Sequence, residues 1–518
     1  MTLLAECQKT DVEGQLNDTN SAKQRASRLK PLGTITVCFP HVDDETRAVL
    51  QSVMDEAENL GDFTERLCNK VCLEPTVPLL QFLAFYFADT TGEWGLLDKL
   101  VLAEKVPVLA EPLLLQMRNK RGQTVSWDEM RTSLLSALEA APNDWIASLL
   151  YFGWRGYADL LYPESDTDVR PIETIEKRIN ENEEFGYFRI ALCEHRFRRE
   201  GNFKEANHAI TEAIAIARKF DDLVAVSDLM VAKANIAKYI DLRKSLDILH
   251  ASRDLSKQLG SSNSGIAQEL GHIMAFRGEL NAAVDYQLEC CTIRESKGYP
   301  ISGMPALVAL NYNMMGDGEK ALEYANAAIE QVGIYKSSVL LHSQKAWALI
   351  NLDRTDEAKD ELEKTKRLAM KSGDIASLLI SQMVEGILDK AENDDDSAAQ
   401  NFEEVFRARE RAILNWWEVT CLLNLVDIEI GGLRPKLLDI DAESSGLWMQ
   451  KLEEYVKETD VPGIAARSLL LKAKLRQKQG RHDEVRSLLR EVLKSAESSS
   501  MRYLKDIVAS TFPDVIVT

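Results

Sequence analysis

The chain has no apolar run long enough to cross a bilayer, no glycine-rich phosphate loop, no clustered cysteines or histidines, and no surplus of positive charge. Each absence removes a class of function. The most apolar stretches, Leu79–Ala88 and Leu96–Met117, are bounded or broken by Asp89, Glu93, Lys99, Glu104, Lys105 and Glu111. Both fall short of the roughly 20 apolar residues that a spanning helix requires. Residues 1–30 lack the apolar centre of a secretory signal, so a soluble, cytoplasmic chain is expected. No phosphate loop ending in Gly-Lys-Ser/Thr, no Gly-x-Ser-x-Gly elbow and no His-Glu-x-x-His helix occurs. The seven histidines (His41, His195, His208, His250, His272, His342 and His482) are too dispersed to pair locally with a nucleophile and an orienting group. With 82 acidic against 62 basic residues the net charge is −20, a field that repels phosphate backbones and anionic membranes. Nucleic acid is therefore a poor default partner.

Eight cysteines are present, but Cys7, Cys38, Cys68, Cys72, Cys193, Cys290, Cys291 and Cys421 are scattered, unlike the frame of a disulfide scaffold. Cys68 and Cys72 share a helical face without the two further ligands that a metal site needs. Cys290 and Cys291, adjacent on a helix, diverge by about 100° and read as packed thiols rather than a redox pair. No metal, cofactor or catalytic residue is expected, and the chain does not read as an enzyme.

What is present is helical patterning. Residues 1–30 carry few large apolar side chains and read as a tail dispensable for folding. Ile35–Phe39 is a short, isolated β-like run. From there to residue 170 the pattern is mostly helical, rich in leucine and aromatics and punctuated by Pro75, Pro78, Pro107, Pro112, Pro142 and Pro163. Ser126 and Glu129 form a capping box that opens a helix over Trp127–Ala141. Trp94, Trp127, Trp145 and Trp154 favour core packing between irregular helices over an aromatic ligand cage.

From about Tyr187 the chain repeats itself. Gly201-Asn202-Phe203-Lys204-Glu205-Ala206 is a tight turn feeding a helix, and comparable turns start at Gly278, Gly316, Asp353 and Gly480, with weaker copies at Ile240, Asn393 and Gly432. Successive anchors lie 39, 38, 38, 37, 40, 39 and 48 residues apart. Small residues recur in register. Gly271, Ala309, Ala346, Gly386 and Ala473 stand seven before an anchor, and Ala206, Ser245, Ala283, Ala321, Ala358 and Ala398 stand five after one. Two antiparallel helices approach closely only where both present little bulk, so each pair is expected across its own hairpin.

On these residues the chain resembles the tetratricopeptide repeat (TPR) family. The resemblance rests on Gly271 with Gly278 and Ala283, on Ala309 with Tyr312, Gly316, Ala321 and Ala328, and on Ala346 with Asp353 and Ala358. The period of 37–40 residues exceeds the nominal 34 and is similar to the helical arrays attached to bacterial transcriptional activators and signalling ATPases. The resemblance implies an all-α fold, a right-handed α-solenoid of antiparallel hairpins over residues 187–499. An irregular helical region at 31–170 precedes it and a capping segment at 500–518 follows. Three places depart from the pattern. Pro305 moves the start of its helix to about Gly303–Pro305, Leu437 replaces a small residue after Gly432, and the polar Asp439–Gly446 reads as an inserted loop. Asn393–Asp396 lacks the spaced ligands of a calcium loop and reads as a turn capping a helix that begins near Ser397.

Stacked hairpins offer an extended concave surface suited to a protein or peptide partner. The expected function is a non-catalytic scaffold or adaptor. An architectural subunit using convex or edge surfaces, or an effector whose active part lies in 31–170, are the alternatives. Positions six before each anchor, among them His195, His272, Leu310, Trp347, Ile387 and Val426, are expected on the concave wall, with Arg198, Arg199, Phe276, Asn313 and Asn351 close by. A basic entrance at Arg198 and Arg199 and an aromatic centre at Phe276 and Trp347 suit a segment with apolar anchors flanked by acidic residues. The Lys and Asn combination with which some of these arrays clamp a carboxylate terminus is absent from these positions.

Overall fold

The computed structural model describes residues 39–120, 125, 127–143, 146–147, 150, 203–219, 222–238, 241–259, 263–298, 301, 304–332, 336–372, 375–408, 415–432, 446–459, 461–497 and 499–513. The tail at 1–30, most of Ile35–Phe39, and the expectations for Trp145, Trp154, His195, Arg198, Arg199 and Gly201 lie outside them. Among the described residues the regular elements are all helical. Contacts divide the chain into one unit of residues 1–266 with 293–300 and a second of 267–292 with 301–518.

The first unit begins with α1 (Asp44–Glu56), α2 (Leu60–Leu73), α3 (Pro78–Thr90), α4 (Trp94–Leu102), α5 (Glu111–Lys120) and α6 (Trp127–Ala140). Local chemistry sets their starts. Asp43 and Asn59 cap α1 and α2 by accepting from the N–H of Thr46 and Asp62, and Pro78 opens α3, where its missing N–H costs nothing. These helices share one core in which Phe63, Phe82, Phe85, Phe87 and Trp94 are almost completely buried. The same unit holds α7 (Phe203–Lys219), α8 (Leu223–Ala237) and α9 (Leu242–Gln258), packed in succession. Here Ser245, standing where other hairpins carry alanine, donates its hydroxyl to the Ala234 carbonyl at 2.6 Å.

The second unit takes up most of α10 (Ser264–Phe276) and α11 (Leu280–Ser296). It continues through α12 (Met304–Met315), α13 (Gly318–Val332), α14 (Lys336–Asn351), α15 (Thr355–Ser372), α16 (Ile375–Ala391), α17 (Asp395–Arg407), α18 (Asn415–Gly432), α19 (Leu447–Thr459), α20 (Pro462–Lys478) and α21 (His482–Ser495), ending on α22 (Tyr503–Thr511). Each first helix packs on its own second helix (α12 on α13, α14 on α15, α16 on α17, α20 on α21), and each hairpin packs on the next. This is a TPR-like α-solenoid. Pro305 sits at the second position of α12, which tolerates it.

The repeat rests on one backbone device. Gly278, Gly316, Asp353, Asn393 and Gly480 all adopt left-handed φ, between 58° and 81°. At Gly278 the amide donates to the Ala275 carbonyl and that of Glu279 to Met274, the pair of bonds that ends a helix through a left-handed residue. The same two bonds form at Gly316 and Asp317, Asp353 and Arg354, Asn393 and Asp394, and Gly480 and Arg481. The second residue of each pair also starts the next helix: the carbonyls of Glu279, Asp317, Arg354, Asp394 and Arg481 accept from Ala283, Ala321, Ala358, Ala398 and Val485. Asp394 adds its carboxylate to the Ser397 N–H at 3.1 Å, so the acidic run is a helix cap. The residue five after each anchor is thus the first to close a helical turn, and there Ala283, Ala321, Ala358 and Ala398 are fully buried. A Cβ on Gly271 would lie 2.8 Å from the Gln287 side chain and 3.3 Å from the Ala283 carbonyl, which is the close approach that its small size permits.

Candidate binding surface on the first helices

First helices also stack on one another: α12 packs on α14, α14 on α16, α16 on α18 and α18 on α20. They carry apolar side chains around most of their circumference, because each meets its own second helix and two neighbouring first helices. Several buried polar groups on them pair across helices. Asn313 of α12, 3% exposed, donates its amide to the backbone and side-chain oxygens of Gln344 in α14 at 2.9 and 3.1 Å. Asn351 returns its amide to the Asn313 carbonyl and side-chain oxygen, both at 3.2 Å. Asn311, fully buried, bonds Gln287 of α11 at 2.8 Å.

Further along, the pairing becomes ionic. Lys390 of α16 reaches Asp427 of α18 at 2.7 Å and Asn424 at 2.9 Å, while Lys474 of α20 holds the other Asp427 oxygen at 2.9 Å. Lys478 donates to the carbonyls of Ile430 and Gly431 at 2.9 and 3.0 Å, satisfying the open end of α18. Burial alone would raise the Asp427 carboxyl, but the two ammonium groups outweigh it and hold it below the usual carboxylate range. Two ammoniums against one carboxylate leave a unit of positive charge. Lys390, Asp427 and Lys474 keep 27, 25 and 36% of their side-chain surface in solvent, so this charge remains open to an incoming group.

A second ion cluster lies inside the hairpin of α14 and α15. Glu361, with 4% of its side chain exposed, is bound by His342, lies 3.1 Å from Lys364, and has Lys345 at 3.7 Å. Burial pushes its carboxyl up, yet the bonds from His342 and Lys364 and the charge of Lys345 win, leaving it at about 2. Its enclosure gives it a structural role.

The residues that spacing alone put on a partner-facing wall are divided by the structure. His272 is half-buried with Nδ1 3.4 Å from Glu269, and Phe276, ending α10, is half-buried. Asn313 and Asn351 meet, but in a helix-to-helix pair. Trp347 is 7% exposed, Leu310 2% and Val426 fully enclosed, whereas Ile387 is half-buried. Asn313, three before its anchor, is taken up by packing on Gln344 of the next first helix, and six before the anchor burial runs from the enclosed Val426 and Trp347 to the half-buried His272 and Ile387. The lysines and Asp427 escaped the sequence reading. The visible signal was Asp427 in a mainly apolar stretch broken otherwise by Asn424 and Glu429, a position that favours a cation.

Among the described residues no group of three metal-ligating side chains converges, and no helix is long and apolar enough to cross a membrane. No family model matches the chain, and no curated protein matches it in sequence. Solved structures do. The chain is similar to a Rap protein complexed with Competence and Sporulation Factor, at 11% identity and a TM-score of 0.42 over 62% of this chain and 96% of that one. It is similar to a signal transduction ATPase with a tetratricopeptide repeat sensor from Pyrococcus horikoshii, at 14% and 0.44 over 73% and 55%. Yeast Tom70 matches at 11% and 0.35 over 95% and 100%.

Proposed function

We propose that the chain is a non-catalytic protein- or peptide-binding scaffold, and that the wall of stacked first helices around Lys390, Asn424, Asp427 and Lys474 receives an acidic segment of its partner. The carrying observation is the surplus positive charge there, part exposed, in a chain of net charge −20. A fixed, partly desolvated charge attracts an opposite one more strongly than a freely hydrated surface lysine does. Apolar anchors of the partner would meet half-buried residues such as Ile387 on the same helices.

A displayed peptide library panned on the full chain tests this reading. Selected peptides should be acidic, and their affinity should fall as salt rises. Lys474→Gln leaves Asp427 its Lys390 partner and should weaken binding about tenfold while the melting curve is kept. Unchanged affinity in the folded variant, or selection of peptides without acidic residues, removes this wall from the function.

One observation favours an architectural role as a second reading. Leu73 and Leu102, each 84% exposed, end α2 and α4, which pack on each other. Exposed leucines so placed suit an apolar protein contact. Leu73→Lys with Leu102→Lys should then lower the mass of any assembly seen by light scattering.

A further inference from the structure

The second unit closes on itself through contacts between parts far apart in sequence. The Gly463 amide, in the first turn of α20, donates to the Arg277 carbonyl at 2.8 Å. The Tyr503 hydroxyl, opening α22, donates to the Gly278 carbonyl at 2.9 Å across 225 residues of chain. The Tyr503 amide faces the Asn281 side-chain oxygen at 3.4 Å, and Arg467 reaches the Met314 carbonyl at 3.5 Å. The backbones touch without side chains between them. A Cβ on Gly463 would fall 2.5 Å from both the Arg277 carbonyl oxygen and the Gly278 Cα, and one on Gly278 would fall 2.7 Å from the Gly463 Cα.

Such a contact differs from those that build the rest of the array. Hairpin-to-hairpin packing buries whole helix faces, whereas between the Gly278 turn and α20 the backbones meet at two glycines and one hydrogen bond, beside the short helix α22, which carries the buried Tyr503, Leu504 and Val508 and packs at α12. Four hairpins separate its two sides, and a small rotation at each joint sums to a large displacement at the ends. The closure is therefore the contact that parts first when curvature changes. We infer that the turn at Gly278 and the amino end of α20 form a clasp that fixes the curvature of the array from α10 to α20, and that its release is how the array changes curvature. The functional meaning rests on the binding wall proposed above: altered curvature alters the spacing of the first helices, so a partner fitting the wider spacing binds at the expense of the clasp.

Gly463→Ala in the full chain is the decisive variant. Alanine favours the helix more than glycine does, so α20 is not weakened, yet its Cβ cannot be housed with the clasp shut. Small-angle scattering should show a larger radius of gyration. Amides at 277–281 and 503–508 should exchange about tenfold faster, as expected for loss of one hydrogen-bonded contact, with helical circular dichroism unchanged. Tyr503→Phe, which removes one donor and no bulk, should raise the same exchange by less. The clasp is overturned if folded Gly463→Ala scatters and exchanges like the parent chain. It is also overturned if the Gly463 amide of the parent exchanges only with global unfolding, which would make the contact a permanent weld. Both readouts are taken without partner, so either failure leaves the peptide-binding test standing, and failure of that test leaves the clasp standing.

Discussion

The helices of residues 44–140 and those of residues 264–495 solve the same packing problem with opposite materials. In the first region the interior is filled by rings. Phe63 meets Phe87 edge to face at 5.3 Å, and Trp94, Phe82 and Phe85 fill the rest. In the array the hairpin seams carry alanine or glycine, with enclosed rings such as Phe402 against Gly386, and buried amides pair across helices, Asn313 with Gln344 of the next first helix and Asn311 with Gln287 of α11. Large side chains keep helices apart at separations that differ from pair to pair, so the region cannot repeat. Small ones let backbones meet at one distance, so a hairpin can be copied. Close approach leaves little apolar area per pair, and the buried bonds from Asn313 to Gln344 then fix the register between copies, since they form in one alignment only.

The contrast can be broken most severely at Trp94. Trp94→Ala should cost about 3–5 kcal/mol, the usual result of emptying an enclosed aromatic site, and denaturant melting should show the loss concentrated in the first unit. In the array, the comparable liability is electrostatic. Glu361 is held at about 2, below its ordinary 4.5. A depressed carboxyl contributes stability that is present above about pH 4.5 and lost as pH falls through 2, on the order of 3 kcal/mol in all. Melting between pH 5 and 2 should therefore flatten in Glu361→Gln, because that variant has no such carboxyl to protonate. Ala321→Leu forces bulk into a seam and should cost about 1–3 kcal/mol. The same substitution at Ala103, which follows α4 outside any hairpin seam, should cost less; equal losses would dissolve the distinction. The smallest effect is expected at Asp353, whose φ is 58°. Asp353→Gly should stabilise by a few tenths to about 1 kcal/mol, since glycine enters this conformation without steric penalty.

Much of the array was legible because its turns are local. A left-handed residue, two backbone bonds and a small residue five positions later all fall within a dozen residues, and Asp353 and Asn393 could be recognised as stand-ins for glycine by position. The second helices were legible too, since each buries one face. The wall was not. Around Trp347, Leu310 and Val426 the first helices are apolar on nearly every side, so the period does not say which side meets solvent. Gly463 follows Pro462 like any residue at a helix start, and its close neighbour is Gly278, which no local pattern connects to it.

One further property follows from the shared residue in each turn. Glu279, Asp317, Arg354, Asp394 and Arg481 each finish one helix and begin the next, which leaves the turns without slack. One inserted residue would swing the following helix by about 100° about its axis and turn its buried alanine to solvent. The intervals between hairpins differ in length, 373–374 after α15 but 297–303 after α11. Insertions and deletions should thus be tolerated only between hairpins, and the array can lengthen or shorten only by whole hairpins. The heritable unit of this fold is the hairpin with its turn, and the turn is its reading frame.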